Sequence, residues 1–137
     1  MTLASLLVFF HVAANVVWIG SILAVAVVAT AAAADSKTRG VLGARVYRKL
    51  AAPAFGISFL AGAARLSLDA HYYFVATHFM HGKLTFALAA IALHHMIGAR
   101  VKKMARGEAE SANVSGLALG LFVCAVVAVF FVVTKPF

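Results

Sequence analysis

The sequence predicts an all-α fold: an integral membrane bundle of four antiparallel transmembrane helices, in a single domain of residues 1–137. Hydrophobic residues fill 64% of the 137 positions and charged residues 12%, whereas about a quarter of the residues of a soluble domain are charged. Mean hydropathy is +1.00, which excludes a water-soluble globule. Four apolar runs approach or exceed the roughly 20 residues that cross a bilayer: residues 3–34, 50–68, 79–99 and 114–134.

Short polar connections separate these runs. The first run is longer than the roughly 7–15 apolar residues of a signal peptide and lacks a basic segment before it, so we expect a transmembrane helix there. Turn-forming and charged residues at 35–40 close it, and residues 65–73 and 100–113 form the second and third connections. Because the connections are short, neighbouring helices should be antiparallel.

Basic residues concentrate on one side of the predicted bundle. The formal net charge is +8, and Arg65, Lys83 and Lys135 are the three bases toward the other side. The nine on the crowded side are Lys37, Arg39, Arg45, Arg48, Lys49, Arg100, Lys102, Lys103 and Arg106. The positive-inside rule then places the first and third connections in the cytoplasm and both termini in the periplasm or exterior. The need to orient helices in the lipid membrane accounts for the net positive charge, so we expect no nucleic-acid partner.

Several kinds of site are excluded. Cys124 has no partner for a disulfide or a thiolate metal cluster. All four acids, Asp35, Asp69, Glu108 and Glu110, lie in predicted connections, which argues against a paired-carboxylate site or a carboxylate proton relay within the membrane. There is no Gly-rich phosphate loop and no Ser nucleophile constellation.

A polar stripe on the first helix is a functional candidate, because polar groups inside a membrane cost a few kcal/mol each. At 100° per residue, Asn15 lies about 40° from His11, and Trp18 lies about 20° on its other side. The stripe should therefore face the bundle. The alternative for one histidine is a hydrogen-bonded packing role, and for Trp18 we expect packing, with stacking on a bound ring as the alternative.

The third helix carries two ionisable stripes. His81 and His95 fall within about 40° of one face, and Lys83 and His94 fall within about 20° of another. Counted from the predicted cytoplasmic ends, His11 is 23 residues before position 34 and His81 is 18 residues before position 99. The two should lie at similar depth, on parallel helices.

Two imidazoles on facing helices of an apolar bundle are typical of a b-type haem site, in which each gives a neutral nitrogen to iron. Basic side chains at the interface would pair with the propionates. Zinc or copper is the alternative metal for the same imidazoles, although no Cys or carboxylate lies near enough in sequence to complete a set.

Five short motifs follow one another along the chain. They are His11 with Trp18 and Gly20, Tyr47-Arg48 with Pro53, His81-Gly82-Lys83-Leu84 with His94, Lys102-Lys103 with Gly107-Glu108, and Val132-Val133-Thr134-Lys135-Pro136-Phe137. In this order they resemble the HemJ-type protoporphyrinogen IX oxidases, small four-helix bacterial membrane proteins within a wider group that includes CopD-like domains.

The resemblance implies a protein of the bacterial inner membrane that binds haem b. It implies oxidation of protoporphyrinogen IX to protoporphyrin IX, with electrons passed to quinone. Its ligand candidates are His11, His81 and His94. We expect His11 and His81 to be the axial pair, and His94 to be a proton-transfer group or an alternative ligand.

The resemblance also implies roles for basic residues. Lys83 and Arg48 are expected to bind carboxylates of the propionate or the tetrapyrrole substrate and, with His94, are the catalytic candidates. Trp18 and Lys135 complete the predicted cofactor site.

The chain departs from the family pattern in four places. Val8 stands in place of a lysine, Ala and Val in place of a Pro-Arg pair, Phe79-Met80 in place of a tryptophan, and residues 111–116 lack an Asn-Glu-x-Pro stretch. These losses bear on turnover more than on the fold. A non-catalytic b-type cytochrome, or a CopD-like metal-handling domain, is therefore the alternative. Small-residue spacings on the helices permit a homo-oligomer.

Overall fold

The computed structural model describes residues 1–32, 34–109 and 113–136, which contain helices and no strand. Position 33 of the predicted first helix, Glu110, positions 111 and 112, and Phe137 lie outside the described residues. Four helices are long and apolar enough to cross a membrane: α1 (Leu3–Thr30), α2 (Ser36–Ser67), α3 (Phe79–Ala105) and α4 (Val114–Thr134). The all-α four-helix prediction is confirmed, and the chain has the helices of a multi-pass membrane protein.

Side-chain caps begin three of these helices. Thr2, Asp35 and Asn113 each accept a hydrogen bond from the main-chain N–H three residues later, at 3.2, 3.0 and 3.0 Å. A left-handed residue, Gly107 with φ of 73°, follows the end of α3. Lys135 with φ of 44° ends α4 and is followed by Pro136.

The helix boundaries correct the sequence analysis at three points. α1 ends at Thr30 rather than at 34, α2 begins at Ser36 rather than at 50, and α3 continues beyond 99 to Ala105. Hydropathy identifies only the part of a helix that lies in lipid. Because Lys and Arg are good helix formers, a segment rich in them can continue the helix beyond the apolar run.

α2 contains a π-helical turn, Tyr47–Ala51, directly before the segment that holds Pro53. Proline has no N–H to donate to the carbonyl four residues earlier, so the regular helical hydrogen-bond pattern cannot pass through it. A second π-helical turn, Tyr72–Ala76, lies in the connection between α2 and α3, which extends beyond the predicted residues 65–73.

The helices form two antiparallel pairs, α1 with α2 and α3 with α4. The first half of α2 also packs on α3, and α1 contacts α4, which leaves α1 and α3 on a diagonal. Gly40 permits the close approach of α2 to α3, because a Cβ there would overlap the main chain of Met104 and Ala105. We call the end with the nine predicted cytoplasmic bases the basic end, and the end with both chain termini the terminal end.

The buried core lies toward the basic end. It runs from Trp18 to Ala29 in α1, from Tyr47 to Ala54 in α2, from Ala90 to Met104 in α3, and from Val114 to Leu121 in α4. None of the described residues closer to the terminal end belongs to this buried cluster. In the terminal half, Ala14, Ala61, Phe79 and Met80 are also buried, outside this cluster.

Candidate functional site

His11 is held by α2 just beyond the buried cluster, toward the terminal end. Its Nδ1 lies 2.8 Å from the carbonyl oxygen of Ser58, and its Nε2 lies 3.1 Å from Nδ2 of Asn15. A carbonyl only accepts, so Nδ1 carries the ring proton and Nε2 accepts from the Asn15 amide. The Ser58 hydroxyl donates to Oδ1 of Asn15 at 2.9 Å and orients that amide.

A glycine lets His11 reach the main chain of α2. A Cβ at Gly62 would lie 2.7 Å from Nδ1 of His11. No side chain therefore fits at position 62 unless the imidazole moves. On the same helix, a Cβ at Gly56 would meet nothing within 4 Å, so the restriction is specific to the position that faces the histidine.

His81 lies near the start of α3 and is exposed. Its Nδ1 is 3.2 Å from the carbonyl oxygen of His78, and its ring meets the edge of the Phe74 ring at a centroid distance of 5.8 Å. By the same logic His81 carries its proton on Nδ1 and leaves the lone pair of Nε2 available.

The structure does not join the two predicted axial ligands. No hydrogen bond or ring contact connects His11 with His81 within the described residues. The hydrogen bond between Trp18 and His94 shows that these two residues lie at the same depth along the bundle. Toward the terminal end, His11 is seven residues before Trp18 on α1, and His81 is thirteen residues before His94 on α3. The six-residue difference places His81 about 9 Å closer to the terminal end, at about 1.5 Å per residue. Equal depth was inferred from helix ends that the structure has moved.

Lys83 is the predicted site residue that the structure brings near His11. It is partly buried on α3, and it is close enough to His11 for their charges to interact. Both residues lie closer to the terminal end than the buried cluster, His11 on α1 and Lys83 on α3.

His94 occupies a different environment, in the packed half. It is 1% exposed, its Nδ1 accepts from the Trp18 indole N–H at 3.0 Å, and its Nε2 lies 3.0 Å from the Tyr47 hydroxyl. The Phe55 ring packs on it at a centroid distance of 4.7 Å. Because an indole N–H only donates, the proton of a neutral His94 lies on Nε2 and is donated to Tyr47. Neither ring nitrogen is free, so iron ligation would require the loss of one of these hydrogen bonds.

Comparison with known proteins identifies no relative of this chain. No family model, curated protein or solved structure matches the chain. The motif resemblance is therefore a hypothesis that the site itself has to support. Within the described residues, no group of three or more His, Cys, Asp or Glu is placed to hold a metal ion.

The remaining predicted residues lie apart from one another. Arg48 is exposed, on the π-helical turn at the level of His94. Lys135 lies at the terminal end, with its Nζ 5.7 Å from the centroid of the Phe79 ring. Lys83 and Arg48, both predicted to bind carboxylates, thus lie in opposite halves of the bundle.

Sequence reasoning missed the α2 side of the site. Ser58 and Gly62 form a small-residue spacing that permits close helix contact, but nothing in that spacing identifies His11 as their partner. Tyr47 was noted as a motif residue, but not as the partner of His94. The available signal was the Pro53 that follows Tyr47, because a proline inside a helix indicates a local irregularity.

Proposed function

We propose that this chain is a haem b-binding oxidoreductase of the bacterial inner membrane, with both termini in the periplasm. It would oxidise protoporphyrinogen IX to protoporphyrin IX and pass the electrons to quinone. His11 carries the proposal: a partly buried imidazole between α1 and α2, with Nδ1 fixed by a carbonyl and Nε2 as the acceptor of a side-chain hydrogen bond. It lies where the apolar core ends.

The donor chemistry of two histidines fits an iron porphyrin. Metal-ligating histidines almost always donate their second ring N–H to a carbonyl, a carboxylate or water. His11 and His81 both have Nδ1 at a main-chain carbonyl, and both keep Nε2 as the acceptor. Ligation by His11 would require the loss of the hydrogen bond from the Asn15 amide, which the Ser58 hydroxyl also holds. His11 would be the iron ligand that this geometry supports, whereas ligation by His81 would require α3 to shift by about 9 Å relative to α1. A bound haem b would supply a one-electron carrier between substrate and quinone.

Basic side chains in the terminal half suit the carboxylates of a tetrapyrrole. Lys83 is close enough to His11 for their charges to interact, and Lys135 lies at the same end of the bundle. Both would bind propionate groups of the haem or of the substrate. Arg48 and His94 lie outside this region, and the proposal gives them no contact with the ring.

The oxidation itself is supported by the motif resemblance. Protoporphyrinogen IX loses six electrons and six protons, and three quinones reduced to three quinols take up both. A non-catalytic b-type cytochrome is the second candidate, and one observation favours it. That observation is that both ring nitrogens of His94, a motif residue expected to take part in proton transfer, are hydrogen-bonded within the packed core.

The test is the visible spectrum of the purified protein in mild detergent, oxidised and then reduced with dithionite. We expect a sharp reduced α-band that His11→Ala and His81→Ala abolish and that His71→Ala, a change at an exposed histidine outside the site, preserves. Gly62→Ala should lower the haem content by displacing the His11 ring, whereas Gly56→Ala should not.

Two outcomes would contradict the haem site. One is a protein that stays colourless after haem is added. The other is a band that survives both His11→Ala and His81→Ala. If the band behaves as expected, growth rescue of a strain that lacks protoporphyrinogen oxidase decides between oxidase and cytochrome, because a cytochrome binds haem without rescuing growth.

A further inference from the structure

The terminal end holds cations without acidic partners. Arg65, Lys83 and Lys135 all lie there, and within the described residues none of them forms an ion pair. The only described acid on this side is Asp69, which is exposed and likewise makes no ion pair. The positive-inside rule explains the basic end but gives no reason for cations at this one.

Two of these cations lie on a pair of aromatic rings. The Arg65 guanidinium lies 5.3 Å from the centroid of the Tyr73 ring, and the Lys135 Nζ lies 5.7 Å from that of Phe79. The two rings meet edge to face at 6.2 Å. These four residues, which we call the terminal rim, connect the end of α2, the connection that follows it, the start of α3 and the end of α4.

The guanidinium of Arg65 has an unused donor. Its Nε is buried and has no hydrogen-bond partner. A buried donor without a partner is costly, and a guanidinium binds carboxylate in a planar, bidentate geometry. The Nε of Arg39 at the basic end is buried without a partner as well, so an anion at Arg65 would bind the rest of its partly buried guanidinium rather than this nitrogen.

The terminal rim lies next to the His11 site. Arg65 is three residues beyond Gly62, the residue that contacts His11, so the two share a face of α2. Lys83 is four residues beyond Phe79 on α3, again one turn deeper on the same face. A flat molecule with an apolar body near His11 would thus have its edge at the rim.

We propose that Arg65 and Lys135, supported by Tyr73 and Phe79, bind the carboxylate edge of a flat, apolar dicarboxylate. The ligand enters from the terminal end, with its carboxylates at the rim and its ring toward His11. This inference rests on the proposed function, because it assumes that a tetrapyrrole occupies the terminal half. It adds Arg65 as a binding residue and fixes which edge of the ring faces the rim.

The test compares haemin, which carries two carboxylates, with its dimethyl ester, which carries none. Both are titrated into the full-length protein in neutral detergent, and binding is followed by absorbance. We expect the wild type to prefer the dicarboxylate by about tenfold or more, and Arg65→Gln and Lys135→Gln each to lose most of that preference. Ester binding should be unchanged. Arg45→Gln, a change at an exposed cation of the basic end, is the matched control and should keep the preference.

Each other outcome overturns the proposal in a recognisable way. If the wild type binds the two forms equally, the proposed role of the terminal rim is refuted, whereas the proposed haem site is not. Equal losses of both forms in Arg65→Gln make Arg65 structural. If neither form binds the wild type, the rim and the proposed function fail together. Arg65→Lys should retain part of the preference, because the charge remains while the bidentate geometry is lost.

A lipid phosphate could satisfy the same cations, and a second arm separates the two sources. The titration is repeated in vesicles of phosphatidylcholine, with and without phosphatidylglycerol. A preference for haemin that persists in the anionic vesicles supports the carboxylate assignment. A preference that disappears there assigns Arg65 and Lys135 to lipid headgroups and overturns it.

Discussion

Replacing Tyr47 by phenylalanine tests whether the buried His94 cluster holds the two helix pairs together. The change removes one oxygen atom and keeps the ring that packs on Gly98, where no Cβ could fit. It also removes the acceptor that lies 3.0 Å from Nε2 of His94. Trp18 still donates to Nδ1, so the ring proton stays on Nε2 and has no partner.

The magnitude follows from the burial of the histidine. His94 is 1% exposed, so no water replaces the lost hydroxyl. A buried donor left without a partner costs about 1–3 kcal/mol. At about 1.4 kcal/mol per factor of ten, the ratio of folded to unfolded protein should fall roughly 5- to 150-fold.

The assay is reversible unfolding in mixed micelles with increasing sodium dodecyl sulfate, followed by tryptophan fluorescence. Trp18 is the single tryptophan and is itself part of the cluster. Tyr72→Phe is the control, because Tyr72 is partly exposed and its hydroxyl makes no hydrogen bond within the described residues. If Tyr47→Phe costs no more than Tyr72→Phe, the hydrogen bond contributes nothing and the reasoning is refuted.

A double-mutant cycle isolates the interaction from the change in packing. In a His94→Leu background there is no ring proton to leave unpaired, so Tyr47→Phe should cost much less. The difference between the two costs is the coupling energy, which is about 0.5–3 kcal/mol for residues in direct contact. Additive effects would show that the two side chains stabilise the bundle independently.

Two further predictions concern the helices around the site. Gly40→Ala should destabilise the protein by about 1–3 kcal/mol in the same assay, because the new methyl group overlaps the main chain of α3, whereas Gly20→Ala, with nothing within 4 Å, should be neutral or stabilising. Hydrogen bonds from Thr38 hold the pKa of Asp35 below its usual 3.8, so the cap of α2 stabilises the fold fully above the unfolded pKa and is lost as the pH falls through the folded pKa. Stability measured between pH 5 and pH 2 should therefore fall less steeply in Asp35→Asn than in the wild type.

The number and type of elements could be predicted from sequence because lipid makes a strict demand on composition. An apolar run of about 20 residues has few alternatives to a transmembrane helix. The start of α2 at Ser36 was not predictable in the same way, because its first half is polar and packs on α3 beyond the apolar run. Helix length and span length are different quantities, and hydropathy reports only the second.

The candidate site was predictable within each helix and not between helices. The interior position of the stripe on α1 is confirmed, since Trp18 is buried and His11 and Asn15 are hydrogen-bonded to each other. Which residues of α2 meet that stripe depends on the register of two helices, and the sequence carries no marker for it. The expected level of His81 was wrong for the same reason: its register against α1 was counted from helix ends that were themselves displaced.

His11 and His94 are both motif residues, but their ring nitrogens have different hydrogen-bond partners. His94 has both nitrogens engaged by side chains within a packed core, which is the arrangement of a structural residue. His11 is only partly buried, with one nitrogen fixed by a main-chain carbonyl and the other accepting from the Asn15 side-chain amide. His94→Leu should therefore reduce stability more than haem content, and His11→Ala should do the reverse.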